Sequence, residues 1–189
     1  MTHLSVIGTG TMGQAIAGVA TQGGHTAELV SRGDQVTGDI VVLAVPYPAV
    51  DDVIAQWGDA LAGKVVVDIT NPLNFETFDS LVVAADGSAA SEIATKLPSS
   101  HVLKAFNTTF AATLGQGTVG PLTTTVLIAG DDADAKATLA QVVTDGGLSA
   151  IDAGALSRAR ELESIGFLQL TLAVGEKVGW TGGFGVVSA

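Results

Sequence analysis

The segment Leu4-Ser5-Val6-Ile7-Gly8-Thr9-Gly10-Thr11-Met12-Gly13 constrains the fold more than any other stretch of the chain. A short β-rich apolar run ends on the first of three glycines spaced G-x-G-x-x-G. Apolar residues from Met12 to Ala20 then recur at helical spacing until Gly23-Gly24 stops them. Strand, tight turn and helix in that order open a parallel β-α-β unit. Within it the three glycines turn the chain, admit a pyrophosphate to the backbone, and let helix pack on strand. The free N–H groups and positive dipole end at the helix start favour an anion. A glycine-rich turn without a ligand is the alternative, and placement in the first strand–helix–strand unit favours the ligand.

The rest of the chain continues this alternation. Apolar, β-rich runs predict strands at Thr26–Ser31, Ile40–Val45, Lys64–Ile69, Val102–Phe106 and Thr124–Ala129, with a short last one at Ser149–Ile151. Helical spacing predicts helices from near Ala49, over Ala133–Thr144, and over Ser157–Val178. With 47% hydrophobic and 14% charged residues, the strands suit a sheet covered on both faces. The expected fold is therefore α/β: a Rossmann-type, mostly parallel sheet with helices on both faces and a small C-terminal helical part. Residues 1–154 would form the dinucleotide-binding domain, and 155–189 a helix and glycine-rich tail packed on it.

One spacing departs from the usual plan. Only Arg32 to Gly38 separate the second and third strands, too few for a helical crossover. Stepping past one intervening strand spans roughly 20 Å, and seven or eight extended residues reach about 25 Å. The usual second helix and outer strand are therefore expected to be missing, which shortens the first half of the fold and exposes the ribose end of a bound dinucleotide.

Ser31-Arg32 ends the second strand, where a protein selecting NAD places a carboxylate on the ribose hydroxyls. A hydroxyl and a guanidinium suit a 2′-phosphate instead, so the implied cofactor is NADP, with Asp34 close enough to compete for Arg32. A formal charge of −11 disfavours nucleic acid and anionic membranes as partners. With no cysteine, thiol nucleophiles and cysteine metal sites are excluded, and no metal is expected. Met1-Thr2-His3 leads directly into the first strand without a secretory pattern, so the expected location is cytoplasmic.

The glycine motif and Ser31-Arg32, with Leu43-Ala44-Val45-Pro46-Tyr47, Asp68-Ile69-Thr70-Asn71-Pro72-Leu73 and Lys104-Ala105-Phe106-Asn107-Thr108, resemble the NADPH-dependent deazaflavin (coenzyme F420) reductase family. They also resemble the small dinucleotide-binding oxidoreductases attached to it, including reductase domains of six-transmembrane metalloreductases. The resemblance covers nearly the whole chain. It implies hydride transfer between NADPH and a small flavin-like acceptor, often by a homodimer. On matching motifs, Gly8, Thr9, Gly10, Thr11, Met12 and Gly13 would hold the pyrophosphate, and Ser31 and Arg32 the 2′-phosphate. Ala44, Val45 and Pro46 would line the cofactor trough, while Asn71, Pro72, Ala105, Phe106 and Asn107 would line the nicotinamide and acceptor pocket.

Asn71 and Asn107 are the candidate catalytic residues. Asn71-Pro72 also fits a simple turn, and Asn107 a side chain satisfying backbone groups. Lys104 fits either polarisation of an acceptor carbonyl or a place at a polar edge. His101 reads as structural, and Arg158, Arg160, Glu161 and Glu163 as a solvated face or a bridge between subunits. Reduction of another acceptor (flavin, quinone or chelated metal) and redox sensing without turnover are the competing functions.

Overall fold

The computed structural model describes residues 1–187. In chain order it contains β1 (His3–Ile7), α1 (Thr11–Gln22), β2 (Thr26–Val30), β3 (Ile40–Leu43), α2 (Val50–Trp57), β4 (Val65–Asp68), α3 (Ala89–Lys96) and β5 (His101–Lys104). It continues with α4 (Ala111–Gln116), β6 (Thr118–Val119), β7 (Leu122–Thr123), β8 (Thr125–Gly130), α5 (Ala133–Asp145), β9 (Ser149–Gly154) and α6 (Ala159–Val174). Seven strands form one sheet in the order β2-β1-β3-β4-β5-β8-β9. Every neighbouring pair is parallel except β5 and β8.

Period-two side-chain alternation explains why the strands read as unbroken apolar runs. Val6, Ile40, Val42, Val67, Leu103 and Ile128 pack with Ile16, Val19, Leu114, Leu139 and Val142, residues of α1, α4 and α5. Ile7, Val41, Leu43, Val66 and Val102 point to the opposite face, against Val50, Val53 and Trp57 of α2 and Ile93 of α3. The antiparallel strand has a local cause: α4 and the β6–β7 hairpin return the chain to the edge where β5 ended, so β8 runs back down beside it.

The shortened first half is present as expected, and β1 lies directly between β2 and β3. Residues 31–39 cross β1 on the α2 face. Ser5, fully buried in β1, accepts hydrogen bonds through Oγ from the N–H of Thr37 (3.1 Å) and Gly38 (2.8 Å), and donates to Glu28 Oε1 at 2.6 Å. Gly38 lies on the backbone of β1: a Cβ there would stand 2.4 Å from Ser5 N, so no other residue fits without displacing the crossing. Among the described residues, no helix is long and apolar enough to cross a membrane.

Candidate functional site

The turn from β1 into α1 lies at the C-terminal edge of the sheet, where open α/β sheets bind ligands. Gly8 has φ +118°, and a Cβ on it would meet the Ala44 carbonyl oxygen at 2.2 Å. A Cβ on Gly13 would meet the Gly8 carbonyl oxygen at 2.3 Å, so these two glycines close the turn on β3 and on α1. Gly10 has nothing within 4 Å of its Cβ position and faces open space. As the N-cap of α1 it supplies no side-chain acceptor, and the first turn carries no carboxylate. The helix's leading N–H groups and dipole are thus left for an external anion.

Two clefts flank this turn. The first, of about 300 Å³, is lined by Gly8, Thr9, Val30, Ser31, Arg32 and Val45 on one side and by Asp52, Gln56 and Trp57 of α2 on the other. Asp34 does not pair with Arg32. Its Oδ2 accepts from Ser31 N at 2.8 Å and its carbonyl from Trp57 Nε1 at 3.0 Å, which pins the turn and leaves Arg32 facing Asp52. The second cleft, of about 410 Å³, is lined by uncharged groups: Thr11, Met12, Ile69, Asn71, Phe106, Asn107, Phe110 and Trp180 among them. The rings of Phe110 and Trp180 lie 5.1 Å apart and form an aromatic wall.

Phe106 is buried with φ +62°, and the Asn107 N–H reaches back to the Ala105 carbonyl at 2.8 Å across it. A bulky residue in this region is strained by about 1–3 kcal/mol, so the surroundings hold it in place. Part of that hold is the Asn pair. Asn71 Nδ2 donates to the Asn107 carbonyl and Asn107 Nδ2 to Asn71 Oδ1, both at 2.9 Å; Asn107 Nδ2 also reaches the Leu162 carbonyl at 2.8 Å. Asn107 Oδ1 is buried without a partner. Gly166 of α6 makes the close approach possible, because a Cβ there would lie 2.2 Å from Asn71 Oδ1. Asn107 thus satisfies a backbone carbonyl and also faces the cleft.

Not every expected residue reaches a cleft. Ala44 contributes its carbonyl behind Gly8, and Pro46 is exposed at the turn after β3. Pro72 and Ala105 are buried in positions that line neither cleft. No histidine lines either one. His101 Nδ1 lies 2.8 Å from Asp132 Oδ2, at the cap of α5.

Two sequence readings need correction. Lys104 neither faces a polar edge nor reaches an acceptor: it is fully buried, 2.7 Å from Asp68 Oδ2, 2.8 Å from Glu163 Oε1 and 2.6 Å from the Thr70 carbonyl. Glu163 is not on a solvated face. It is fully buried and accepts from the N–H groups of Ala89 (3.0 Å) and Ala90 (3.3 Å) at the start of α3. Burial pushes its carboxyl above the ordinary glutamate range, and the Lys104 ammonium opposes that shift. The signal lies in the strands, since Asp68 and Lys104 close the apolar runs of β4 and β5 and pair in register.

Residues 19–72, from the last turn of α1 through β4 to Asn71-Pro72, match the family model described as NADP oxidoreductase, coenzyme F420-dependent. The F420-dependent NADP reductase of Methanocaldococcus jannaschii is 33% identical over 149 residues, 77% of this chain. The chain belongs to the coenzyme F420-dependent NADP oxidoreductase family. It spans 66% of the M. jannaschii reductase's length. Another relative, the metalloreductase STEAP3 of Rattus norvegicus, is 35% identical over 112 residues, which are 59% of this chain and 22% of that one. The crystal structure of an Arthrobacter sp. FB24 protein described as an F420-dependent NADP-reductase shares this chain's fold over 100% of both chains, with TM-score 0.87 and 23% identity.

Proposed function

We propose that the chain is an NADP-dependent oxidoreductase that binds the dinucleotide along the C-terminal edge of its sheet and serves a flat, deazaflavin-type acceptor in the uncharged cleft. The observation that carries this reading is the uncapped start of α1 between two clefts, one bearing Ser31 and Arg32 and the other an aromatic wall. The residues fit the cofactor. Gly8 and Gly13 allow no side chain, Gly10 is open, and the first cleft has a guanidinium at its mouth. Thr9 to Gly13 would hold the pyrophosphate, Ser31 and Arg32 the 2′-phosphate, and Ala44 to Pro46 the trough wall.

When bound, NADPH supplies the hydride, and a flavin-like acceptor takes it. The protein's own work is to orient and to exclude water. Met12, Ile69, Phe106, Phe110 and Trp180 give flat rings apolar contact, while Asn71 and the strained Phe106 turn fix the wall behind them. Asn71 keeps one Nδ2–H for an acceptor carbonyl or a carboxamide, while both Nδ2–H groups of Asn107 are taken by Asn71 Oδ1 and the Leu162 carbonyl, so Asn107 holds Asn71 in place; no charged general acid or base is required of the cleft. The name of the rat relative supports a second reading, in which the acceptor is a chelated metal. We place the protein in the cytoplasm, which cell fractionation would check.

The first test titrates NADPH and NADH by nicotinamide fluorescence, with the wild type and Arg32→Ala. A preference for NADPH of at least about tenfold, or 1.4 kcal/mol, that collapses in the variant is expected. Equal binding of both coenzymes that ignores the mutation would refute the 2′-phosphate site. An acceptor panel then separates deazaflavin from flavin, quinone and ferric chelates.

A further inference from the structure

Arg32 Nη2 and Asp52 Oδ2 stand 3.8 Å apart across the mouth of the first cleft, on side chains 83% and 79% exposed. Arg32 comes from the turn after β2, whereas Asp52 comes from the first turn of α2 on the facing wall. The neighbouring carboxylates are engaged elsewhere. Asp51 pairs with Lys96 Nζ, and Asp34 takes the Ser31 N–H. Asp52 is therefore the carboxylate directed at the guanidinium.

Pockets for an unphosphorylated ribose carry a carboxylate at the end of the second strand, and pockets for a 2′-phosphate carry a cation there. This cleft holds a cation at the strand end and a carboxylate opposite. We infer that Asp52 sets the coenzyme ratio: it limits the preference for the 2′-phosphorylated dinucleotide and leaves the unphosphorylated one usable. The inference rests on the proposed 2′-phosphate site. Asp52 competes with the phosphate for Arg32 and also repels it directly. A phosphomonoester carries a charge near −2, and a second anion about 6–7 Å away in a water-exposed site weakens its binding roughly fivefold. Ionic strength screens that repulsion. A coenzyme without the phosphate escapes both effects.

The test measures dissociation constants for NADPH and NADH, at low and at physiological ionic strength, on the wild type, Asp52→Asn, Asp51→Asn and Arg32→Ala. Asp52→Asn is expected to tighten NADPH about fivefold and to shift NADH less than twofold, with the gain shrinking as salt rises. Asp51→Asn removes a carboxylate from the same helix turn and should leave the ratio unchanged, which separates the effect from general loss of helix N-terminal charge. A ratio that does not move in Asp52→Asn, or NADPH binding that weakens, overturns the inference. If Arg32→Ala weakens NADPH while Asp52→Asn does nothing, the role of Asp52 alone fails. If Arg32→Ala leaves NADPH binding intact, the 2′-phosphate reading fails with it.

Discussion

Replacing Lys104 with methionine keeps most of the side-chain volume and removes the charge between two carboxylates that are fully buried. Asp68 would keep its bond from the Thr70 N–H at 2.8 Å, and Glu163 its bonds from Ala89 and Ala90, but their mutual repulsion would go uncompensated. Removing one partner of a buried ion pair costs about 3–5 kcal/mol. For a chain of this size, each kcal/mol lowers the midpoint by about 2–4 °C, so Lys104→Met should melt roughly 10 °C below wild type.

The loss should depend on pH in a fixed direction. Glu163 already has a raised pKa in the folded protein, so in the pH window between the ordinary and the folded value the folded state keeps a proton that the unfolded chain has released. Stability from this group is fully present below the ordinary glutamate pKa of 4.5 and falls as pH rises through the folded value. Without Lys104 the folded value climbs further and the loss extends to higher pH. Thermal melts at mildly acid and mildly alkaline pH should therefore show a smaller penalty in acid. Lys104→Met combined with Glu163→Gln should regain at least half the lost stability, since the two residues share one network. A single variant that melts with the wild type, or a loss unaffected by pH, would refute the account of the triad.

Two further outcomes follow from the site and the surface. Gly166→Ala places a methyl group 2.2 Å from Asn71 Oδ1, too close for that side chain to stay, so acceptor turnover should fall by an order of magnitude or more while NADPH affinity stays within about twofold; steady-state kinetics beside a coenzyme titration checks this, and unchanged turnover would show that the Asn pair does not shape the cleft. We propose that the chain forms a homodimer through the exposed apolar residues Leu168 and Val174 of α6 with Trp180 and Phe184 of the tail. Sedimentation at micromolar concentration should then give twice the chain mass, and a monomer there would dismiss the proposal.

Much of the fold can be read from local chemistry. The glycine turn, the alternating apolar strands and the brief stretch from Arg32 to Gly38 each carry a geometric constraint in a few adjacent residues. That stretch even announces the missing helix, because chain length limits reach. The β6–β7 hairpin and the reversed direction of β8 are not legible in this way, as strand direction depends on where the preceding segment delivers the chain. The clefts show the same division. Residues flanking strand ends, such as Ser31, Asn71 and Phe106, stand at the sheet edge because the strands put them there. Glu163 is hidden in the sequence because its neighbour Arg160 is exposed and Glu161 only half-buried, and only the turn of α6 toward α3 buries it. Asp52 reads in sequence as an ordinary helix-start carboxylate, and only the fold brings it to Arg32.

Loss of the outer strand has a consequence for the protein's behaviour in a crowd. It makes β2 the border of the sheet, with unpaired backbone groups along its outer side that could recruit a strand from another molecule. β2 is only five residues long and carries Glu28 at its centre. Hydrogen bonds from Ser5 and then Thr37 hold the Glu28 carboxyl below the ordinary glutamate range, so the border keeps its negative charge under mildly acid conditions. The opposite border, β9, carries Asp152 with Lys136 and an irregular register against β8. The atoms that latch the crossing over β1 thus also discourage edge-to-edge aggregation, and a change at Glu28 would disturb both.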